Sequence, residues 1–161
     1  MTNGVFKPLG YTAYARATNV MSTESATDFE WSVKLVGRSC MYVGIASQLK
    51  PEMTAIFEIF EYDQNSILLN NFTTSKIKIG SNTINSSLTK YKTGDVIRFR
   101  FQPRAKKLVV DLVSNGKSPI YLILLTFQNG PYEINLKDNV NYFPVVQTGF
   151  SADTEVHLID H

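Results

Sequence analysis

The chain has one cysteine, Cys40, in 161 residues. No internal disulfide can form, and the composition suits a reducing, cytoplasmic setting. Two histidines, His157 and His161, add too little to that cysteine for a structural zinc site, which takes about four ligands. An excess of one charge is missing too. Sixteen Lys and Arg against fourteen Asp and Glu leave a net +2, so no global field draws the chain to nucleic acid or an anionic membrane. Long hydrophobic runs are absent: the longest, residues 120–125, falls far short of the roughly 20 that span a bilayer. The opening Met1-Thr2-Asn3-Gly4 lacks the basic flank and apolar core of a signal peptide. With 43% hydrophobic and 19% charged residues, the chain reads as one globular domain over residues 1–161, its core over residues 11–160.

What is present is alternation with period two, the mark of strands with one buried face. In residues 29–35, Phe29, Trp31, Val33 and Leu35 share one face while Glu30, Ser32 and Lys34 share the other. Further strands are expected over residues 11–18, 41–46, 56–62, 67–72, 76–79, 96–101, 108–113, 120–127, 132–136, 143–147 and 155–159. Turn dipeptides such as Asn115-Gly116 and Asn129-Gly130 fall between them. Pro144 interrupts one strand, which is therefore expected at a sheet edge, or with the proline near its start. Gln48 to Thr54 has room for one helical turn, limited by Pro51. The Ser-, Asn- and Thr-rich residues 80–93 read as a loop with one short strand inside. Strands this closely spaced, without a helix of three turns, predict an all-β antiparallel two-sheet sandwich.

Five motifs, in order, resemble the SPRY (B30.2-like) domain family. They are Phe29-Glu30-Trp31-Ser32-Val33, Tyr42-Val43-Gly44-Ile45-Ala46, Gly94-Asp95-Val96-Ile97, Tyr142-Phe143-Pro144-Val145-Val146 and Val156-His157-Leu158. The likeness runs from about Tyr11 to Ile159. Arg98 and Phe99 depart from the glycine and small apolar residue the family often has there. The amino-terminal segment is short for the extra subdomain of B30.2 proteins, so the chain resembles a bare SPRY module. The resemblance implies a concanavalin-like jelly roll that binds a peptide or protein partner through a loop face, without a cofactor. By that resemblance the contacts are Arg16; Gln48 and Leu49 in the loop after Val-Gly-Ile-Ala; and Gln147, Thr148, Gly149 and Phe150 after the Pro-x-Val strand.

The matching residues also have structural reasons to be there. Trp31 fills space between two sheets. Gly44 within a strand marks a close backbone approach or a bulge.

Catalysis finds little material. His157 sits on a strand face, His161 is terminal, and Cys40 has no histidine nearby in sequence. Glu58 and Glu61 fall on opposite faces of one strand, and Asp153 with Glu155 reads as a solvated edge. The largest charge cluster is Arg98, Arg100, Arg104, Lys106 and Lys107. It reads as edge protection, with an acidic partner as the alternative. A carbohydrate-binding domain and an architectural subunit are the rival functions. The sequence leaves the oligomeric state open.

Overall fold

The computed structural model describes residues 5–6, 12–37, 40–48, 63–70, 76–85, 93–113, 131–149 and 155–159. These hold thirteen strands: β1 (Val5–Phe6), β2 (Thr12–Arg16), β3 (Met21–Ser22), β4 (Phe29–Val36), β5 (Cys40–Ala46), β6 (Ile67–Asn70), β7 (Lys76–Ile79), β8 (Asn82–Asn85), β9 (Val96–Gln102), β10 (Lys107–Val113), β11 (Tyr132–Asn135), β12 (Asn141–Gly149) and β13 (Glu155–Ile159). They form two antiparallel sheets. The first has the order β1-β13-β4-β9-β10-β11 and the second β2-β12-β5-β6-β7-β8, with β3 also pairing with β12. The expected strands over residues 56–62 and 120–127 lie outside the described residues. So does the helical turn, except for Gln48.

The first sheet alternates because one face is dry while the other meets water in part, with Ser32 and Val109 buried on it. Trp31 and Val33 on β4, and Ile97, Phe99 and Phe101 on β9, point into the core. Glu30, Lys34, Arg98 and Arg100 face water, at least in part. Register makes Trp31 and Phe99 direct neighbours, and their rings stack at 5.0 Å. Across the sandwich, Phe101 meets Tyr142 of β12 edge-on at 5.9 Å. Such aromatic pairs add about 0.5–1.5 kcal/mol each to the burial of their area.

The second sheet is buried on both faces at β5, β6 and β12. Val43, Ile45, Ile67, Leu69 and Ile77 belong to the core. One residue out of phase, Tyr42, Ala46, Leu68, Phe143 and Val145 are buried as well. This is why β5 and β6 read as short continuous apolar runs rather than as alternation.

One expectation is corrected. β12 is an interior strand between β2 and β5, with Pro144 its fourth residue. The proline is tolerated because of where its nitrogen points. Pro144 accepts a hydrogen bond from the Ala17 amide at 2.9 Å. In an antiparallel ladder the N and C=O of a residue share one side. The missing N–H thus falls beyond Arg16, the last residue of β2. The two-residue strands β1 and β3 escaped notice because two residues cannot show a period.

Candidate functional site

The described residues hold no group of three His, Cys, Asp or Glu side chains able to bind a metal. The His157 ring bonds Glu155 at 2.9 Å, on the same face of β13. Glu58, Glu61 and Asp153 lie outside the described residues. A cavity of about 50 Å³ lies between the sheets. It is lined by apolar residues such as Ala15, Ala17, Trp31 and Val156. Small-molecule sites usually occupy roughly 300–1,000 Å³ and carry a few polar groups. This one is a packing gap.

Four of the five cations in the basic run are neutralised within the fold. Arg100 Nη2 lies 2.9 Å from Asp111, Arg98 lies 3.6 Å from Asp111 and 3.9 Å from Glu30, and Lys107 pairs with Glu133. Lys106 bridges Asp138 and Glu24, which holds its ammonium above the ordinary lysine value, the Asp138 hydrogen bond contributing most. Four cations face five carboxylates, and register explains the match. Glu30 opposes Arg100, Asp111 opposes Arg98, and the strands carrying these residues are neighbours. Arg104, the fifth member, is exposed and meets no carboxylate among the described residues, so the run keeps one uncompensated charge for an acidic partner.

A different site emerges at the end of the second sheet where β5 stops. Asp63, only 2% exposed, gathers donors from two turns. Its carboxylate accepts the Ser47 amide at 2.5 Å, the Ser47 hydroxyl at 2.8 Å, the Gln48 amide at 3.1 Å and the Asn65 amide at 2.9 Å. Asn65 Nδ2 donates to Ser47 Oγ at 3.2 Å, and Lys137 Nζ donates to Asn65 Oδ1 at 2.7 Å. With its oxygens taken by protein donors, Asp63 has little capacity left for a cation. It ties the end of β5 to the turn that leads into β6. The Tyr142 phenol sits above its ordinary pKa, raised chiefly by burial, with a hydrogen bond from the Lys137 backbone opposing and the Asp63 charge reinforcing. Asp63→Asn is expected to cost about 1–3 kcal/mol in chemical denaturation, because an amide cannot accept four hydrogen bonds. An unchanged midpoint would show the network to be dispensable.

Beside this turn the chain arches off β12. The Ala17 amide bonds to Pro144, and Met21 pairs with Tyr142. Thr18, Asn19 and Val20 between them are exposed, Val20 by 58%. Arg16 stands at the foot of the arch, its guanidinium 5.2 Å from the centroid of the Phe143 ring. Arg16 is exposed and meets no carboxylate among the described residues. Stacking on an aromatic face holds an arginine without consuming its hydrogen-bond donors.

The expected site residues do not form one cluster. Arg16 opposes Val145, and Gln48 follows Ala46, which opposes Phe143. Those two residues share one end of the sheet. Gly149 opposes Cys40 and Thr12 at the other end, about 20 Å from Ala46 at roughly 3.3 Å per residue. Gln147, Thr148 and Gly149 are also not a loop. They continue β12, with β2 on one side and β5 on the other. Gln147 is 1% exposed, which removes it as a surface contact. Leu49 and Phe150 lie outside the described residues. Sequence reading missed Val20, Phe143 as the shelf under Arg16, and Asp63. Only Phe143 had a signal, its place in the aromatic-Pro-x-Val motif.

No family model matches the sequence, and no curated protein matches it. Solved structures do. The architecture is shared with SPRY domains and with legume lectin-like domains. The SPRY domain of human HERC1 aligns with TM-score 0.65 at 13% identity, over 94% of this chain and 84% of that one. The PSpry domain of TRIM65 aligns with TM-score 0.62 at 13% identity, over 92% and 71%. A legume lectin-like domain from Entamoeba histolytica gives 0.56 at 14% identity, over 97% and 80%. Identities this low establish the shared fold and nothing finer.

Proposed function

We propose that the chain is a single-domain, non-catalytic, intracellular module that recognises a peptide or protein partner. Recognition uses the end of the second sheet that carries Arg16, Val20 and Gln48. The observation behind this reading is an exposed arginine, stacked on Phe143 and meeting no described carboxylate, at the foot of an arch that carries the exposed Val20. Arginine is among the residues enriched at binding hot spots, and Val20 adds apolar area near it in the chain. Leu49 and Phe150 remain candidate contacts by resemblance to the SPRY family.

The test is capture of a partner from native extract, followed by titration of variants. Arg16→Glu should weaken binding about thirtyfold, equivalent to roughly 2 kcal/mol, while thermal stability stays within a few degrees. Arg100→Glu, in the neutralised network, should change affinity far less. The opposite ranking would move the recognition surface to the first sheet. Phe150→Ala reports whether the site extends to the far end of β12.

Carbohydrate recognition is the second reading. It is favoured by the likeness to the Entamoeba histolytica domain and to the Emp46p carbohydrate recognition domain, which aligns with TM-score 0.52 at 10% identity. A glycan array separates the two.

A further inference from the structure

Among the described strands four end the two sheets, and three of them are blunted. β1 has two residues, β2 ends in Arg16, and β11 carries Glu133 paired with Lys107. β8 is different. Asn82-Thr83-Ile84-Asn85 has no ionisable residue, and no described strand covers its outer side. Asn82, Thr83 and Ile84 are exposed, Ile84 by 46%. An uncharged edge presents N–H and C=O groups to any strand that can lie alongside.

We propose that β8 pairs with β8 of a second copy, antiparallel about a two-fold axis through Ile84. The symmetry fixes the register. Directly opposed residues of an antiparallel pair lie on one face of the sheet. A two-fold axis normal to the sheet keeps each residue on its own face, so a symmetric pair must centre on a residue rather than between two. Centred on Ile84, the joint sets Ile84 against Ile84 and Thr83 against Asn85. Ile84 already opposes the buried Ile77 across β7. The row Ile77, Ile84, Ile84, Ile77 would then run unbroken across both sheets, covering an apolar side chain that one copy leaves in water. Centring on Thr83 would instead set each Ile84 against Asn82.

The sequence favours a self-complementary occupant. Outward from Ile84 the chain meets Thr83 and Asn85, then Asn82 and Ser86, then Ser81 and Ser87, all small or amide-bearing and uncharged. The nearest lysine rows, on β7, would be three strand spacings apart, about 14 Å, beyond the roughly 8 Å screening length of physiological salt. A joint this small sits below standard interface size, so the dimer is weak, with a Kd on the order of 100 µM.

Sedimentation equilibrium from about 10 µM to about 1 mM reads the association. The expected result is a dimer fraction rising across that range. Ile84→Lys should weaken it at least tenfold, because two like charges then face each other at the axis. In a Cys40→Ser background, Ile84→Cys should form an intermolecular disulfide on mild oxidation far faster than Thr83→Cys, whose opposite number is Asn85. Circular dichroism and melting confirm that the variants fold; Ile84→Lys alters an exposed position and leaves the core intact. A monomer throughout the range overturns the proposal. So does a dimer indifferent to Ile84→Lys, or equal cross-linking by the two cysteine variants.

Discussion

Gly44→Ala is expected to leave little folded protein. A Cβ at this position would lie 2.0 Å from the Ile67 carbonyl oxygen, 3.0 Å from its carbonyl carbon and 3.1 Å from the Leu68 Cα. All three are backbone atoms of the adjacent strand, so no side chain can swing aside to make room. β5 is also held on its other edge by β12, where Gly44 opposes Val145. Relief therefore requires prising β5 from β6 where the sheet is buried on both faces. The expected cost is about 4 kcal/mol or more, at the upper end for single substitutions and a large part of the roughly 5–15 kcal/mol that holds a domain together. Trp31 is the only tryptophan, which makes denaturant unfolding followed by its fluorescence a direct measurement. A melting temperature within a few degrees of the parent would show that β5 and β6 do not approach this closely.

Trp31→Ala should cost about 3–5 kcal/mol, the usual range for truncating a large buried aromatic. The residue is 2% exposed and its ring lies nearly parallel to that of Phe99, 8° between planes. Removing it strips one face of Phe99 and enlarges the existing gap beside Ala15 and Ala17. Because the substitution removes the fluorescent probe, far-UV circular dichroism is the appropriate readout. Full stability with lost ligand binding would instead make Trp31 a binding platform, and the carbohydrate reading would gain.

How legible the fold was depended on which faces are wet. β4 and β9 announced themselves because Glu30, Arg98 and Arg100 interleave with Trp31, Ile97 and Phe99. Gly44 was recognisable as a point of close approach because a glycine inside an apolar strand has few other reasons to be there. The end of β12 was misread for a local reason. Gln147-Thr148-Gly149 has the composition of a loop, yet partners from both β2 and β5 extend the ladder through it. Neighbours far away in sequence outvote local propensity. The site was harder still. Asp63 sits in Asp63-Gln64-Asn65-Ser66, which reads as a turn. Nothing local reveals that its oxygens reach back to Ser47. Val20 looks like a stray apolar residue until Ala17 and Met21 are both tied to β12.

The clasp at Asp63 also bears on how the two strands it joins can slip. One carboxylate holds the amides of Ser47, Gln48 and Asn65, so the end of β5 and the turn before β6 share a single acceptor. Sliding either strand along the other would break hydrogen bonds to a charged group, each worth roughly 1.5–3 kcal/mol. The pairing of Ile45 with Ile67 is therefore pinned from its end as well as along its ladder. A one-residue slip, which would turn every side chain of β6 to the opposite face, is penalised before any packing is lost.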